Sequence, residues 1–215
     1  MRRTPYLGRK LYDMRSNFNI LSHSWDTLGS KWLLAIGLTL LHTVISSVVG
    51  TVGMGIGNVA LGGALAFGFN RTMVQLYRGE TPAVETYFDG FRHFLPTLIA
   101  FLLTAAIVLV GFVLLILPGI IAAIGLSQVF YVLQDQPELG AEAAVRESWR
   151  LTWTNGNMWK VFGMMILSLF VVLGGALAFG VGLFFAIPLV SVMTAGLYEE
   201  LRLNDSQEGG SVEFM

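Results

Sequence analysis

His42, Gln128 and Tyr131 are polar side chains set inside long uncharged stretches, where such groups mark ion, proton or solute paths. His42 is the eleventh residue of the first stretch. That is about 16 Å along a helix that must cross about 30 Å, so the imidazole falls near mid-bilayer. No Asp, Glu, Lys or Arg lies at that depth to complete a proton relay. A neutral imidazole hydrogen-bonded to a neighbouring helix meets the same positional pattern. Thr39, Thr43, Ser46 and Ser47 share the His42 helix at the spacing of a packing face. Ser127, Gln128 and Tyr131 follow a helix break expected at Pro118, where they either line a cavity or bond between helices.

Other patterns have readings that need no ligand. Gly50, Gly53, Gly55, Gly57, Gly62, Gly63 and Gly68 contain GxG spellings, but they sit in hydrocarbon-grade sequence without the strand and acid of a dinucleotide site. Close helix packing and a hairpin turn account for them. Asn70, Arg71 and Thr72 spell a glycosylation acceptor on the face expected to be cytoplasmic, where it goes unused. Trp149, Trp153 and Trp159 form a cage only if they converge; at the membrane surface they make an aromatic belt. Glu85, Asp89, Glu138, Glu142 and Glu147 lie in segments that also carry arginines and read as solvated faces. There is no GxSxG, HExxH or P-loop, and His23, His42 and His93 lack metal-ligand spacing, so no catalytic residue, metal or cofactor is expected.

The elements that hold these residues follow from composition and charge. Of 215 residues, 54% are hydrophobic and 13% charged, about half the charged share of a soluble domain. With 13 Lys+Arg against 14 Asp+Glu, no basic excess calls for nucleic acid. The absence of cysteine removes disulfides and thiolate chemistry. Three windows hold no Lys, Arg, Asp or Glu: Trp32 to Asn70, His93 to Gln134 and Val161 to Tyr198, of 39, 42 and 38 residues. One crossing takes about 20 apolar residues, so each window holds two helices and a short turn, broken near Gly53, Gly55 and Gly57, at Pro118 and Gly119, and at Gly180 and Gly182.

The expectation is an all-α polytopic membrane protein with six spans, at about 32–54, 58–77, 96–117, 119–135, 158–179 and 182–201. They form one membrane domain, 17–203, between an N-terminal arm, 1–16, and a disordered tail, 204–215. All 13 cations flank the same ends of the three hairpins, which puts both termini and both long loops in the cytoplasm. Ahead of each hairpin a segment with apolar residues at helical spacing predicts an interfacial helix, at about 17–30, 82–94 and 137–154. Trp25, Trp32, Phe88, Phe91, Trp149, Trp153 and Trp159 are its aromatic anchors. Phe18, Val84 and Val145 mark three parallel copies of this unit.

RGETP at 78–82, LPGII at 117–121, YVLQDQPEL at 131–139, EAAVRESWRL at 142–151 and NGNMWKVF at 155–162, with Gly180, Gly182, Pro188 and Tyr198, have a collective likeness. In order and spacing they resemble the bacterial integral membrane proteins grouped as domain of unknown function 975, over about Ala35 to Leu201. The chain is more distantly similar to the membrane domain of some glycerophosphodiester phosphodiesterases, whose hydrolase domain has no counterpart here. Pro188-Leu189 stands where members tend to have Pro-Tyr. The resemblance implies six helices in a bacterial inner membrane and brings no substrate. The expected role is a non-enzymatic scaffold or accessory subunit touching membrane lipids, a protein partner or a second copy. The alternative is a small permease or channel for an apolar or zwitterionic solute, using a cavity near His42, Gln128 and Tyr131.

Overall fold

The computed structural model describes residues 16–52, 56–177 and 180–212, and every regular element among them is a helix. In chain order they are α1 (Asn17–Leu28), α2 (Trp32–Val52), α3 (Ile56–Tyr77), α4 (Phe94–Leu114), α5 (Ile116–Gly125), α6 (Val129–Asp135), α7 (Gly140–Trp153), α8 (Asn157–Leu177) and α9 (Leu183–Val212). Short 3₁₀ segments lie at Gly29–Lys31, Val84–Phe91, Pro137–Leu139 and Thr154–Gly156. Most of the expected N-terminal arm, and Gly53 and Gly55 of the first expected turn, lie outside the described residues.

Local chemistry sets several boundaries. The Ser16 hydroxyl accepts from the Asn19 amide at the start of α1, and Gly29, at φ 21°, redirects the chain before α2. α3 ends on Gly79 at φ 79°, with Gly79 N–H bonded to the Leu76 carbonyl and Glu80 N–H to the Gln75 carbonyl. That pair of bonds is a Schellman stop. The turn between α4 and α5 falls at Leu115, three residues before the expected break. Pro118 instead occupies the first turn of α5, where its missing N–H costs no helix bond. The turn is tight because Gly111 faces Gly119, and a Cβ on Gly111 would come within 2.9 Å of the Gly119 Cα.

Among the described residues, five helical stretches are long and apolar enough to cross a membrane: Asn17–Val52, Phe94–Leu114, Ile116–Asp135, Asn157–Leu177 and Leu183–Asp205. The remaining expected span, 58–77, corresponds to α3, whose 22 residues suffice in length. Its glycines, Asn58, Asn70 and Arg71 keep it below the hydropathy of the others. The physical reason is its position: α3 packs against α2, α4, α6, α9 and the Val84–Phe91 segment, and buries Leu65, Phe67, Met73, Leu76 and Tyr77. A helix surrounded by protein meets little lipid and need not be oily all round.

The bundle therefore sorts its helices into two groups. Consecutive pairs α2–α3, α4–α5 and α8–α9 pack on one another. Only 11–17% of residues in the apolar windows containing α2, α4 and α8 are buried, against 56% for α5–α6 and for α9. Helices α2, α4 and α8 thus face outward, while α3, α6 and α9 form the interior around Phe67, Leu76, Leu133, Met193 and Leu197.

Several expectations are corrected. The middle amphipathic segment is the 3₁₀ stretch Val84–Phe91, pressed against α3 with Tyr87 fully buried. Gly68 and Gly90 allow this approach: a Cβ on Gly68 would overlap the Tyr87 carbonyl oxygen, and one on Gly90 that of Ala64. The expected span 119–135 falls within the candidate span Ile116–Asp135, which carries a turn at Leu126–Gln128. Hydroxyls from α7 staple that turn: Ser148 Oγ donates to the Gly125 carbonyl at 2.9 Å and accepts from the Gln128 amide at 3.2 Å. α9 continues as helix to Val212, beyond the expected boundary at 203, and Arg150 of α7 binds Asp205 through two 2.7 Å contacts.

Candidate functional site

The three sequence candidates occupy separate packing environments. His42 Nδ1 lies 3.0 Å from the Tyr87 hydroxyl, and its ring stacks on Phe69 of α3 at 4.3 Å. Gln128 is buried; its Nε2 donates to Ser127 Oγ at 2.8 Å, and its Oε1 lacks a partner among the described residues. Tyr131 is buried and stacks on Tyr198 of α9 at 5.5 Å. The contacts of His42 run to α3 and Tyr87, those of Gln128 toward α7, and those of Tyr131 to α9.

The aromatic anchors cluster in small groups. Trp25 packs edge-on against Trp32 at 5.1 Å, and Trp32 in turn against Phe185 at 5.5 Å. Phe88 sits 6.3 Å from Phe91, and Trp149 lies 5.5 Å from Trp153. Trp149 and Trp153 lie over Gly125, where a Cβ would strike both indoles. Trp159 is 70% exposed and abuts Phe162.

A charged cluster forms where α3, α6 and α9 meet. Arg78 follows the last residue of α3, Asp135 ends α6, and the adjacent Tyr198 and Glu199 lie one turn before Arg202 on α9. Arg78 Nε donates to Glu199 Oε1 at 3.0 Å, and its Nη2 also reaches that oxygen. The same Nη2 stands 3.5 Å from Asp135 Oδ1. The other Asp135 oxygen accepts from the Tyr198 hydroxyl at 3.0 Å and from Arg202. Asp135 and Glu199 keep only 15% and 13% of their side-chain surface exposed, so the guanidinium offsets two largely desolvated carboxylates. Burial works against the Arg78 charge, but Glu199, Asp135 and Glu80 outweigh it, and its pKa lies above the ordinary arginine value.

The surroundings extend this network. Lys31 donates to the Gly79 and Glu80 carbonyls, and His23 Nε2 lies 3.3 Å from the Tyr77 carbonyl, so α1 and its following turn cover the C-terminus of α3. Arg71 lies 3.6 Å from Asp89, and Lys160 3.3 Å from Glu200. Further out, Arg150 holds Glu147 and Asp205, whose hydrogen bonds raise its pKa.

Two pockets open on the cluster and share Arg78 and Asp135. One, of about 380 Å³, adds Gln136, Glu199 and Arg202. The other, of about 260 Å³, adds Arg71, Val74, Gln75, Glu80 and Gln134. Among the described residues no group of His, Cys, Asp or Glu is arranged to hold a metal ion. The arrangement has both charge signs within reach of one small molecule and an acceptor and a donor amide beside them.

Residues 101–205 match the family model described as protein of unknown function, DUF975. Over that stretch, just under half of the chain, the protein is similar to that family. The match begins within α4, later than the Ala35 start of the resemblance drawn from motifs, and it includes Asp135, Tyr198, Glu199 and Arg202 of the cluster. Arg78, with α1 to α3, lies before it. No curated protein and no solved structure matches the chain.

The charge spacing confines the ionic groups to the segments between the uncharged windows but does not assemble this cluster. Its signal was present: Asp135 is the first charge after the second uncharged window, and Glu199 the first after the third. What connects them to Arg78 is the packing of α3, α6 and α9 as a set, which the spacing within any one helix does not encode.

Proposed function

We propose that this chain is a non-enzymatic protein of the bacterial inner membrane that acts as a lipid- or partner-interacting scaffold or accessory subunit. The observation that carries the reading is the use made of its intramembrane polar groups: His42 meets Tyr87, and Tyr131 meets Tyr198. Both pairs join one helical unit to another, which is what a structural bundle requires of polar residues in lipid.

In this reading the bundle crosses six times as three parallel hairpins, with α3 as the sheltered sixth crossing and both termini cytoplasmic. The one-sided distribution of the cations supports that orientation. Exposed Trp25, Trp149 and Trp159, in the segments that carry those cations, suit the headgroup region. The α7 face bearing Glu142 and Arg146 is exposed while Ala144, Ser148 and Leu151 are buried, as an interfacial helix would be.

The test is gentle extraction from native membranes followed by native mass spectrometry. Retained lipid or a stoichiometric protein partner is the expected result. A chain that emerges alone overturns the scaffold reading, and solute flux in proteoliposomes that disappears in His42→Ala establishes the permease in its place.

A further inference from the structure

The smaller pocket beside Arg78 has a composition that selects its ligand. Arg71 and Arg78 face it together with Glu80 and Asp135, so its formal charges cancel. A simple anion there meets two carboxylates and a simple cation two guanidiniums; a ligand with both signs on neighbouring atoms satisfies each. Its volume, about 260 Å³, is well above the roughly 15 Å³ that one water requires.

The polar groups around it retain bonding capacity. A guanidinium carries five N–H donors; Arg71 reaches Asp89 only at 3.6 Å, and Arg78, held to Glu199 through Nε and Nη2, reaches Asp135 only at 3.5 Å. Both separations exceed the 2.7–2.9 Å or so of a charge-assisted hydrogen bond. Gln75 and Gln134 line the same pocket, and Gln75 Oε1 and Gln134 Nε2 are buried without a hydrogen-bond partner among the described residues. Gln134 as a whole is 92% buried, and such groups are rarely left without a partner, whether protein, water or ligand.

We propose that this pocket binds a zwitterion that joins an ammonium to a phosphate, the phosphate toward Arg71 and Arg78 and the ammonium toward Asp135 and Glu80. The group is the headgroup of an ethanolamine phospholipid or the same zwitterion free in solution. The proposal rests on the scaffold reading and gives its interface a chemistry. Lys31 beside Gly79 and Glu80, followed directly by Trp32, ties the pocket rim to residues suited to the headgroup level.

The test is thermal unfolding of the full chain in detergent with dioctanoyl phosphatidylethanolamine, with phosphoethanolamine, or with dioctanoyl phosphatidylglycerol. At a hundredfold excess over Kd a ligand of the native state raises Tm by roughly 5–10 °C. Stabilisation by the ethanolamine lipid alone identifies a lipid site, and stabilisation by phosphoethanolamine identifies the free zwitterion. Equal stabilisation by the phosphatidylglycerol, or none by either ethanolamine compound, overturns the proposal.

Gln134→Leu and Arg71→Gln place the effect. Each is expected to reduce the shift at least tenfold in ligand affinity while the unliganded protein still unfolds cooperatively. An undiminished shift in both variants overturns the location. The lipid and partner content of protein drawn from native membranes is a separate measurement, so failure here leaves a distinct signature from failure of the scaffold reading.

Discussion

Gly68 of α3 faces Tyr87 so closely that a Cβ on the glycine would overlap the Tyr87 carbonyl oxygen. The contact is backbone to backbone, and neither side has a flexible end that could move away. Gly68→Ala is therefore expected to separate α3 from the Val84–Phe91 segment and cost about 3 kcal/mol, at the upper end for overpacking. Gly37 of α2 has no atom within 4 Å of its Cβ position, so Gly37→Ala is the control and should be neutral or slightly stabilising. Melting of the two variants in the same detergent checks the pair.

Arg78 and Glu199 join the end of α3 to α9. Arg78→Gln leaves Glu199 and Asp135 with less positive charge beside them and is expected to destabilise by about 3 kcal/mol, as for one partner removed from a buried pair. Glu199→Gln alone should cost less, because Asp135 still balances the guanidinium. A double-mutant cycle by denaturant or heat should give a coupling of about 1–2 kcal/mol, and additive losses would deny the link.

Tyr87 predicts an alkaline effect. Burial raises its phenol to about 12, above the value of about 10 expected when unfolded. The folded state thus holds the proton more tightly, and this contribution is complete below about pH 10 and lost as pH rises through about 12. Tyr87→Phe removes the titration and the hydroxyl beside His42, and should lower stability by about 1 kcal/mol at pH 7. The gap between wild type and variant should close as pH rises from 10 to 12, measured by unfolding at each pH.

The chain has no cysteine, so any introduced thiol is a unique reporter. Leu115, 69% exposed in the α4–α5 turn, and Arg146, 76% exposed on α7, lie on opposite sides of the proposed bilayer. In intact cells Leu115→Cys should react with an impermeant maleimide and Arg146→Cys should not, with both reacting after lysis. Labelling of Arg146→Cys in intact cells would reverse or dismantle the six-crossing topology.

Much of the fold was legible in charge spacing. The three uncharged windows hold the long apolar helices, and the glycine at 180 takes φ 78° between the last two. The Leu126–Gln128 break was not legible, because hydroxyls at Ser148 and Thr152 on another helix create it. The 3₁₀ form of Val84–Phe91 was hidden for a similar reason: its apolar spacing fits an α-helix, but contact with Gly68 and Ala64 sets its path. For His42, the sequence supplied depth and chemistry, while Tyr87 and Phe69 as neighbours came only from the packing of α2 on α3 and the loop that follows.

By itself the sequence determined that this is a helical chain with stretches apolar enough to cross a membrane and with its ionic groups confined to the segments between three uncharged windows. That information is local, since each residue's solvation depends on its own side chain and those within a turn or two. Tertiary structure alone decided which helices lie inside and that Arg78, Asp135 and Glu199 share one site. These choices depend on shape between distant segments, where a glycine's missing Cβ or a single hydroxyl selects the neighbour, and hydropathy carries no record of that selection.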